Sequence, residues 1–437
     1  MGGRTAAGYS ATYSLDSDTR ESLPSLSSFH RFKMEAAPDW RVDAPSEADA
    51  DGYLYLEDLI LSGPDDYVPI DYHPVEIGER FHDGRYRVVR KLGWGGFSTV
   101  WLAYDQQVDR HVAVKVAKSP KICAEKEIKH QQHAASANPS HPGHANVVRL
   151  LDHFTHEGPN GTHTCMLFEP LGENLAALSQ RFGRYGMPAP LVRQIGRELL
   201  RGLDYLHREC GIVHTDLKSA NVVVSIPDVE KLIRAELDDP QKSEYGTKTS
   251  CPLRAPHIQT TRPENNEQPD YSSISVKLCD FGNATSLATG NANFWIQTAA
   301  YRSPEVIIEA PWDHRVDIWS LGCLIFELLA GSHLFHTTAD YNRDYHLNQI
   351  VDLLGEFPLH MITAGNYIPM HIFDMQIIKK KQKMEDWCLR EMMLMNLFES
   401  EIIGCLESIL IVDPAERPEA RQILDDPDNW LGPNKTK

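Results

Sequence analysis

The spacing of hydrophobic residues changes once along this chain of 437 residues, and the change strongly restricts the folds available to it. After a polar N-terminal stretch, apolar and polar residues alternate in three short runs, a pattern typical of half-buried β-strands. These runs cover residues 86–92, 99–104 and 111–116. Beyond Phe168 the apolar residues recur at helical spacing, most clearly from Pro190 to Cys210. The order predicts an α+β protein in which a small antiparallel β-rich lobe precedes a larger helical lobe.

Further helices are predicted where the helical spacing returns. They cover residues 121–134, 316–329, 345–354 and 399–410. Residues 239–271 are rich in Pro, Thr, Asn, Gln and Glu and predict an exposed insertion, which follows a short charged helix near 228–237. The predicted segments are a flexible tail (1–50), a lead-in (51–85), an N-terminal lobe (86–170), a C-terminal lobe (171–432) with an insertion at 227–272, and a short tail (433–437).

The chain is strongly acidic. It has 43 Lys and Arg against 61 Asp and Glu, a formal net charge of −18. Such a surface repels nucleic-acid phosphates and attracts basic proteins, so we expect a basic protein partner and no direct nucleic-acid contact. The alternative is that the acidity serves solubility alone.

The longest apolar run, 321–330, is too short to cross a bilayer, and the N-terminus lacks a signal-peptide pattern. We therefore expect a protein of the cytoplasm, the nucleus or both, without membrane contact. A monomer is a separate expectation.

Cysteine and histidine spacing gives no metal signature. The eight cysteines form no CxxC pair, so reduced and mostly buried thiols are expected. His130, His133, His141 and His144 are closely spaced, but Pro142 and the small residues around it favour a solvated connection over a metal site.

A glycine-rich turn, Leu92-Gly93-Trp94-Gly95-Gly96-Phe97-Ser98, joins the first two predicted strands. Glycine at 93 and 95 lets backbone N–H groups approach phosphate oxygens with no Cβ in the way. The third strand carries Lys115 inside an apolar run, where a lysine is costly unless it meets an anion. The pattern indicates a phosphate-binding cleft, although many hairpins contain glycines and an edge lysine can extend into solvent.

Two polar groups follow apolar stretches further along the chain, Asp216-Leu-Lys218-Ser-Ala-Asn221 and Asp280-Phe-Gly282. An aspartate can orient an attacking hydroxyl and accept its proton. An asparagine and a second aspartate can hold a divalent cation through oxygen.

Taken in this order, the motifs resemble those of the eukaryotic protein kinases over roughly residues 80–432. The matching set also includes Ser303-Pro-Glu305, Asp317-Ile-Trp-Ser-Leu-Gly322 and Asp413-Pro-Ala-Glu-Arg417-Pro. The resemblance implies the bilobal protein-kinase fold and an enzyme that uses ATP and Mg²⁺. By the same resemblance, Glu305 and Arg417 form a buried, structural ion pair.

The resemblance also implies catalytic roles. Lys115 would hold the α- and β-phosphates and pair with a helix glutamate, Glu127, with Glu125 on another helix face as the alternative. Asp216 would be the catalytic base, and Lys218 would contact the γ-phosphate. The implied Mg²⁺ ligands are Asn221 and Asp280. The implied ATP-binding positions, besides Lys115 and Glu127, are Leu92, Gly93, Gly95, Ser98, Val100, Ala113, Phe168, Glu169 and Leu171.

The segment linking the two lobes is implied to recognise adenine. Phe168 would be the gatekeeper, the Glu169 carbonyl would receive the adenine amine, and the Leu171 N–H would donate to the ring. Pro170 stands at the one position between them that needs no donor, which suits a residue without an N–H.

Among kinases, the chain resembles the SR-protein kinases. The catalytic loop contains His214-Thr-Asp216 where most kinases have HRD, and the insertion lies between Asn221 and Asp280, where that family places its spacer. The family resemblance implies a serine/threonine kinase acting on basic proteins of the arginine/serine-rich type, such as splicing factors. Two departures are Phe281, where the family has leucine, and Ala299-Ala300, where it has Arg-Gln. The second leaves strict Arg-Ser specificity open.

Two alternative functions stay open. A related kinase, such as a dual-specificity kinase, would act on a different substrate. A pseudokinase scaffold would lack at least one of four residues, and all four are present: Lys115, Asp216, Asn221 and Asp280.

Two further expectations concern substrate docking and regulation. The acidic residues Asp344, Asp352 and Glu356 fall where the resembled family docks basic peptides, unless they are an ordinary solvated helix face. Thr215 replaces the arginine that often holds an activation-segment phosphate. We therefore expect residues 280–305 to be held by packing and the enzyme to be constitutively active. The packing candidates are Phe294, Trp295 and Tyr301.

Overall fold

The structure is a computed structural model, and it describes residues 72–118, 122–238, 250–260, 269–287, 295–337, 340–367 and 388–433. The predicted tail at 1–50, most of the lead-in and residues 434–437 lie outside the described residues. The predicted segment boundaries therefore stay predictions.

A six-stranded antiparallel sheet begins the described chain, with strand order β1-β2-β3-β4-β6-β5. The strands are β1 (Arg80–Phe81), β2 (Tyr86–Gly95), β3 (Ser98–Asp105), β4 (Arg110–Ala117), β5 (Leu150–Gly158) and β6 (Gly161–Phe168). The three strands predicted from alternation are confirmed as β2, β3 and β4. Alternation works here because one face of the sheet packs its own apolar core, which includes Phe81, Val88 and Val114. Helix α1 (Ile122–Ser136) follows β4 and confirms the helix predicted there.

Helices dominate the rest of the chain. Those in the described residues after α1 are α2 (Leu175–Gln180), α3 (Ala189–Asp204), α4 (Val229–Leu237), α5 (Pro304–Ile307), α6 (Arg315–Ala330), α7 (Arg343–Leu354), α8 (Leu359–Ala364), α9 (Leu389–Met395), α10 (Ser400–Ile409) and α11 (Ala420–Asp425). The stripe of Leu191, Ile195, Leu199 and Leu203 on α3 is buried, as its spacing predicted. The predicted helix to Cys210 differs in its last turn, because residues 205–209 form a π-turn.

Two short antiparallel ribbons connect the helices to the cleft. One pairs β7 (Ile212–Val213) with β10 (Thr285–Ser286), and the other pairs β8 (Val222–Val224) with β9 (Val276–Leu278). Each ribbon therefore holds a segment near Asp216 against a segment near Asp280.

Part of the predicted exposed insertion is buried, so that prediction is wrong for these residues. Leu253, Ala255 and Ile258 are at most 1% exposed. Arg181 donates to the Ile258 carbonyl at 2.9 Å, and the Cys251 N–H donates to the Lys91 carbonyl at 3.0 Å. Isolated apolar residues fixed by such distant partners produce no periodicity, so composition alone could not distinguish them from a solvated loop.

The short charged helix within the insertion is confirmed as α4, and it packs on the N-terminal sheet. Ile233 on α4 is fully buried. Glu236 accepts from Arg90 of β2 at 2.8 Å, and Glu230 lies 3.0 Å from the imidazole Nδ1 of His111 on β4. The insertion is thereby attached to both the sheet and the helical region.

The four closely spaced histidines lie in α1 and in the mostly exposed connection after it, as predicted; His133 is exposed, and the other three are half-buried and make contacts with the helical region. His141 lies 3.2 Å from the Asp204 carboxylate, and His133 lies 2.9 Å from the Cys210 carbonyl. A Cβ on Gly143 would meet the Arg201 carbonyl at 1.8 Å, so only glycine allows this close approach to α3.

The described cysteines are free thiols, and four of them are buried: Cys165, Cys210, Cys323 and Cys405. Among the described residues, no helix combines the length and apolarity needed to cross a membrane.

Candidate active site

Lys115 lies between two carboxylates at the base of the cleft. Strand β4 places it opposite Met166 of β6. Its Nζ lies 2.7 and 2.9 Å from the two carboxylate oxygens of Glu127 and 2.9 Å from Oδ1 of Asp280. Burial alone would lower the pKa of Lys115, but the two carboxylates raise it above its ordinary value, so the side chain stays charged. Of the two glutamates considered, Glu127 makes the pair, whereas Glu125 is exposed.

The glycine-rich turn between β2 and β3 leaves open space above the cleft. Gly93 pairs with Val100 and Gly95 with Ser98, and neither glycine has positive φ. A Cβ built on either would meet no atom within 4 Å. Neither backbone strain nor a neighbour in the described chain therefore requires glycine at these positions, which suits a turn that must admit a ligand close to its backbone. Tyr72 donates its hydroxyl to the Gly95 carbonyl at 2.8 Å.

The apolar positions implied to hold adenine belong to one hydrophobic cluster. Ala113 and Phe168 are buried in it, and the partly buried members pack against it: Leu92, Val100 and Leu171. The side chain of Glu169 forms an ion pair with Lys277, whose Nζ lies 2.6 Å from Oε1. Because the side chain is engaged in this contact, the role implied for Glu169 in adenine recognition rests on its backbone carbonyl.

Asp216 is surrounded by the other polar residues of its motif. The Asn221 side-chain amide donates to the Asp216 carbonyl at 2.8 Å and to its carboxylate Oδ2 at 3.1 Å. Thr298 donates its hydroxyl to Asp216 Oδ1 at 2.7 Å and accepts from Lys218 Nζ at 2.9 Å. Lys218 Nζ lies 3.6 Å from Asp216 Oδ2. The carboxylate is thus oriented by three side chains, one of which comes from the segment after Asp280.

A buried aspartate on α6 holds the loop that carries Asp216. Asp317 accepts the backbone N–H groups of His214 and Thr215 at 2.8 and 2.9 Å, and it lies 2.8 Å from the His207 imidazole. Burial would raise the pKa of Asp317, but the bond from His207 and the other surrounding donors lower it, so it stays ionised. These bonds fix Thr215 in the left-handed region, at φ 66°, a costly conformation for a β-branched residue.

Asn221 and Asp280 offer oxygen ligands that fit a divalent cation such as Mg²⁺. The Cys279 N–H donates to the Asn221 carbonyl at 3.0 Å, which places Asp280 beside Asn221. Because the Asn221 amide nitrogen faces Asp216, its side-chain oxygen is left as an acceptor. Asp280 uses Oδ1 for Lys115 and its side chain is 45% exposed to the cleft, while the Lys115 ammonium lowers its pKa. Both donors are hard oxygens, the type that Mg²⁺ prefers.

Sequence analysis did not predict the supporting contacts of three residues, which are Tyr72, Thr298 and Asp317. The role of Asp317 could have been predicted, because its carboxylate lies inside an apolar helix. Burying a charged group there costs free energy unless it has partners, as for the lysine in β4. Tyr72 and Thr298 stand in ordinary polar surroundings and carry no such signal.

Comparison with known proteins agrees with this geometry. The protein kinase domain family matches residues 86–251 and 259–430. Protein kinase dsk1 of Schizosaccharomyces pombe is 33% identical over 89% of this chain and 89% of its own length. Serine/threonine-protein kinase SRPK of Physarum polycephalum is 35% identical over 84% of this chain and 90% of its own length. SRSF protein kinase 3 of Homo sapiens is 28% identical over 87% of this chain and 92% of its own length.

The chain therefore belongs to the protein kinases, with the bilobal fold of that class, and it is a serine/threonine protein kinase. Among the relatives that match it over most of their length, those of Physarum polycephalum, Mus musculus and Homo sapiens carry SRPK or SRSF kinase names. Within the class, it belongs to the SR-protein kinase family.

Proposed function

We propose that this kinase transfers the γ-phosphoryl group of ATP, with Mg²⁺, to serine residues of basic, arginine/serine-rich proteins such as splicing factors. The observation that carries the proposal is the single cleft formed by the Lys115–Glu127–Asp280 ion pairs and the oriented carboxylate of Asp216. We place the enzyme in the cytoplasm, the nucleus or both, as a monomer.

Each residue of the cleft has one chemical task. Asp216 orients the substrate hydroxyl and accepts its proton, while Lys115 and Lys218 supply positive charge at the phosphates. The backbone of the turn around Gly93 and Gly95 would donate N–H groups to the phosphates. Mg²⁺, held by Asn221 and Asp280, would neutralise charge on the phosphate oxygens.

A peptide array tests the activity and the substrate class together. We expect phosphorylation of peptides with Arg-Ser repeats in preference to neutral peptides with isolated serines, and none with Asp216→Asn. Activity of Asp216→Asn equal to the wild type would contradict the active-site assignment. Equal phosphorylation of acidic, neutral and basic peptides would contradict the substrate class.

Substrate specificity has a second candidate because of Ala299 and Ala300. The family has Arg-Gln at these positions, and the alanines begin a short 3₁₀ turn directly after Thr298, beside the catalytic aspartate. Without those polar side chains the site loses groups that would select the residue after the phosphorylated serine. A basic substrate with relaxed selection at that position is therefore the second candidate, and the same array distinguishes it.

Reversing the charge of Asp352 is expected to weaken binding of an arginine-rich peptide severalfold. Asp352 lies on α7 with Asp344, and the exposed Glu356 follows the helix. One partly exposed pair contributes little, but several carboxylates facing a multiply charged peptide add up. Binding is measured by fluorescence anisotropy of a labelled Arg-Ser peptide at increasing salt, with Asp425→Lys, an equal charge change on α11, as control. Salt-independent affinity, or an equal effect of both variants, would mean an ordinary solvated helix face.

Phosphatase treatment is expected to leave the activity of bacterially expressed protein unchanged. Hydrogen bonds within the protein hold the described parts of the activation segment (residues 280–305): Thr215 donates to the Asn283 carbonyl at 2.9 Å, and Arg302 donates to the Ile296 and Gln297 carbonyls at 3.0 and 2.8 Å. Arg302 also lies 4.2 Å from the ring centre of Trp295. Control would then come from location or from residues 1–50 and 227–272.

The comparison uses treated and untreated protein, with a Thr285→Ala/Ser286→Ala variant as control for phosphorylation at these two sites. A loss of most activity on dephosphorylation, restored by phosphorylation within residues 280–305, would overturn this expectation.

Of the three predicted packing residues, Tyr301 is buried and Trp295 makes the contact with Arg302, while Phe294 lies outside the described residues.

A further inference from the structure

A cluster of two imidazoles and one carboxylate lies on the outer part of the N-terminal sheet, away from the residues assigned to phosphoryl transfer. It consists of His73, which precedes β1, Glu79, which directly precedes Arg80 at the start of β1, and His156 on β5. One ligand atom from each residue lies within 4.8 Å of the others. We propose that these three residues bind a zinc ion.

The distances place the Glu79 carboxylate at the centre of the cluster. Its Oε1 lies 2.7 Å from His73 Nε2 and 3.4 Å from His156 Nε2. Tetrahedral zinc, with bonds of about 2.0–2.1 Å, holds its ligand atoms about 3.3 Å apart. The second distance already fits this geometry. The first is a hydrogen bond, and it would have to lengthen by about 0.6 Å when zinc replaces the shared proton.

The surroundings fix the three ligands before any ion binds. A Cβ on Gly158 would lie 2.3 Å from His73 Nδ1, so glycine is what allows this imidazole to enter. The ring of Phe81 lies edge-on to His156, with centroids 4.5 Å apart. The second carboxylate oxygen of Glu79 accepts the Glu76 N–H at 2.9 Å, a contact of the kind that orients metal ligands.

A third imidazole lines the cluster from below. His163 of β6 is the cross-strand partner of His156, its ring centre lies 5.4 Å from that of His73, and it is fully buried. Its Nδ1 donates to the Ala117 carbonyl at 3.0 Å, while its Nε2 finds no hydrogen-bond partner among the described residues. Such a buried lone pair is costly beside a hydrogen-bonded cluster, and a nearby cation reduces that cost.

The donor set selects zinc among common ions. Two imidazole nitrogens and one carboxylate are the three protein ligands of one class of four-coordinate zinc site, in which water takes the fourth position. The side chains of Glu79 and His156 are 23% and 19% exposed, which leaves room for that water and a path for entry. Ca²⁺ and Mg²⁺ prefer oxygen ligands and are not favoured here.

A bound zinc would fasten the segment before β1 to the β5–β6 hairpin. Tyr72, the neighbour of His73, donates to the carbonyl of Gly95 in the glycine-rich turn. The proposed zinc, with a water completing its coordination, would therefore link these two segments beside the cleft.

The test is a comparison of zinc stoichiometry between matched variants of the full chain. After chelator treatment and dialysis, zinc binding is measured by equilibrium dialysis against ZnCl₂ with elemental analysis. We compare wild type, His156→Gln, Glu79→Gln and His153→Gln, since His153 is an exposed histidine on the same strand. Wild type and His153→Gln are expected to bind one equivalent more than the other two variants. Equal stoichiometry in all four proteins would overturn the proposal.

Thermal unfolding provides a second readout, in which zinc bound at unchanged surface histidines contributes to every variant and is removed by comparing them. ZnCl₂ is expected to raise the unfolding temperature of wild type and His153→Gln more than that of Glu79→Gln, which keeps the hydrogen-bonding shape of the site. An equal rise in all variants, or none in the wild type, would mean that the cluster is a hydrogen-bonded network only.

Discussion

Replacing Asp280 with asparagine is expected to lower turnover on the order of 10³-fold while the chain stays folded. Phosphoryl transfer depends on positioning and charge stabilisation, so loss of a charged Mg²⁺ ligand should cost far more than loss of a surface charge. Lys115 would keep Glu127 as a partner at 2.7 Å, so the substitution leaves no uncompensated buried charge. Asp280 has φ 64°, a conformation that asparagine tolerates and alanine does not. Asp280→Asn is therefore a cleaner test than Asp280→Ala, which we also expect to be inactive.

The measurement is the steady-state turnover number at several Mg²⁺ concentrations, together with circular dichroism. The control is Asp425→Asn, which removes an exposed carboxylate that pairs with Arg421 one helical turn away. We expect the control to retain normal turnover. Turnover of Asp280→Asn within a few-fold of the wild type would contradict the assignment of Asp280 as a metal ligand.

The local parts of the site could be predicted from sequence because each depends on a short pattern. The strand around Lys115 follows from alternation, and a lysine in that apolar run needs an anion. The choice between Glu127 and Glu125 could not be made from composition. The two positions lie about 200° apart around a helix, so one of them faces the cleft and the other faces solvent.

The parts that sequence could not supply depend on contacts between distant positions. Asp317 supports the loop at His214 from 103 residues away, and Thr298 reaches Asp216 from 82 residues away. The buried segment around Ile258 is fixed by Arg181, 77 residues earlier. The position of each residue depends on how α6, the activation segment or the insertion packs. The spacing of apolar residues along the chain does not indicate that packing.

Replacing Glu305 with glutamine is expected to lower the free energy of unfolding by about 3–5 kcal/mol. Glu305 and Arg417 form a two-point ion pair, with distances of 2.7 and 3.1 Å, and their side chains are at most 1% exposed. Removal of the carboxylate leaves the Arg417 guanidinium buried without a counter-ion. Its remaining bonds to the Arg315 and Ile411 carbonyls satisfy its donors but do not neutralise its charge.

An exposed pair elsewhere in the helical region provides the matched control. Arg390 and Glu407 also form a two-point contact, but their side chains are 48% and 35% exposed. Glu407→Gln should therefore change the free energy of unfolding by less than about 1 kcal/mol, because solvent screens the pair. Both variants are compared by urea denaturation, and equal shifts of the two midpoints would contradict the structural role of the buried pair.

A double-mutant cycle separates loss of the attraction from the cost of a lone buried charge. Arg417→Met removes the guanidinium and keeps an apolar side chain next to Trp319, whose ring centre lies 5.1 Å from the guanidinium carbon. If the lone charge dominates, Glu305→Gln combined with Arg417→Met will be less destabilised than the sum of the two single variants. Strict additivity would instead mean that each side chain stabilises the fold through its own separate contacts. Since the side chains of this pair bond to each other and to the Arg315, Ile411 and Val412 carbonyls, and to none of the residues assigned to phosphoryl transfer, the folded fraction of each variant should transfer phosphate at the normal rate.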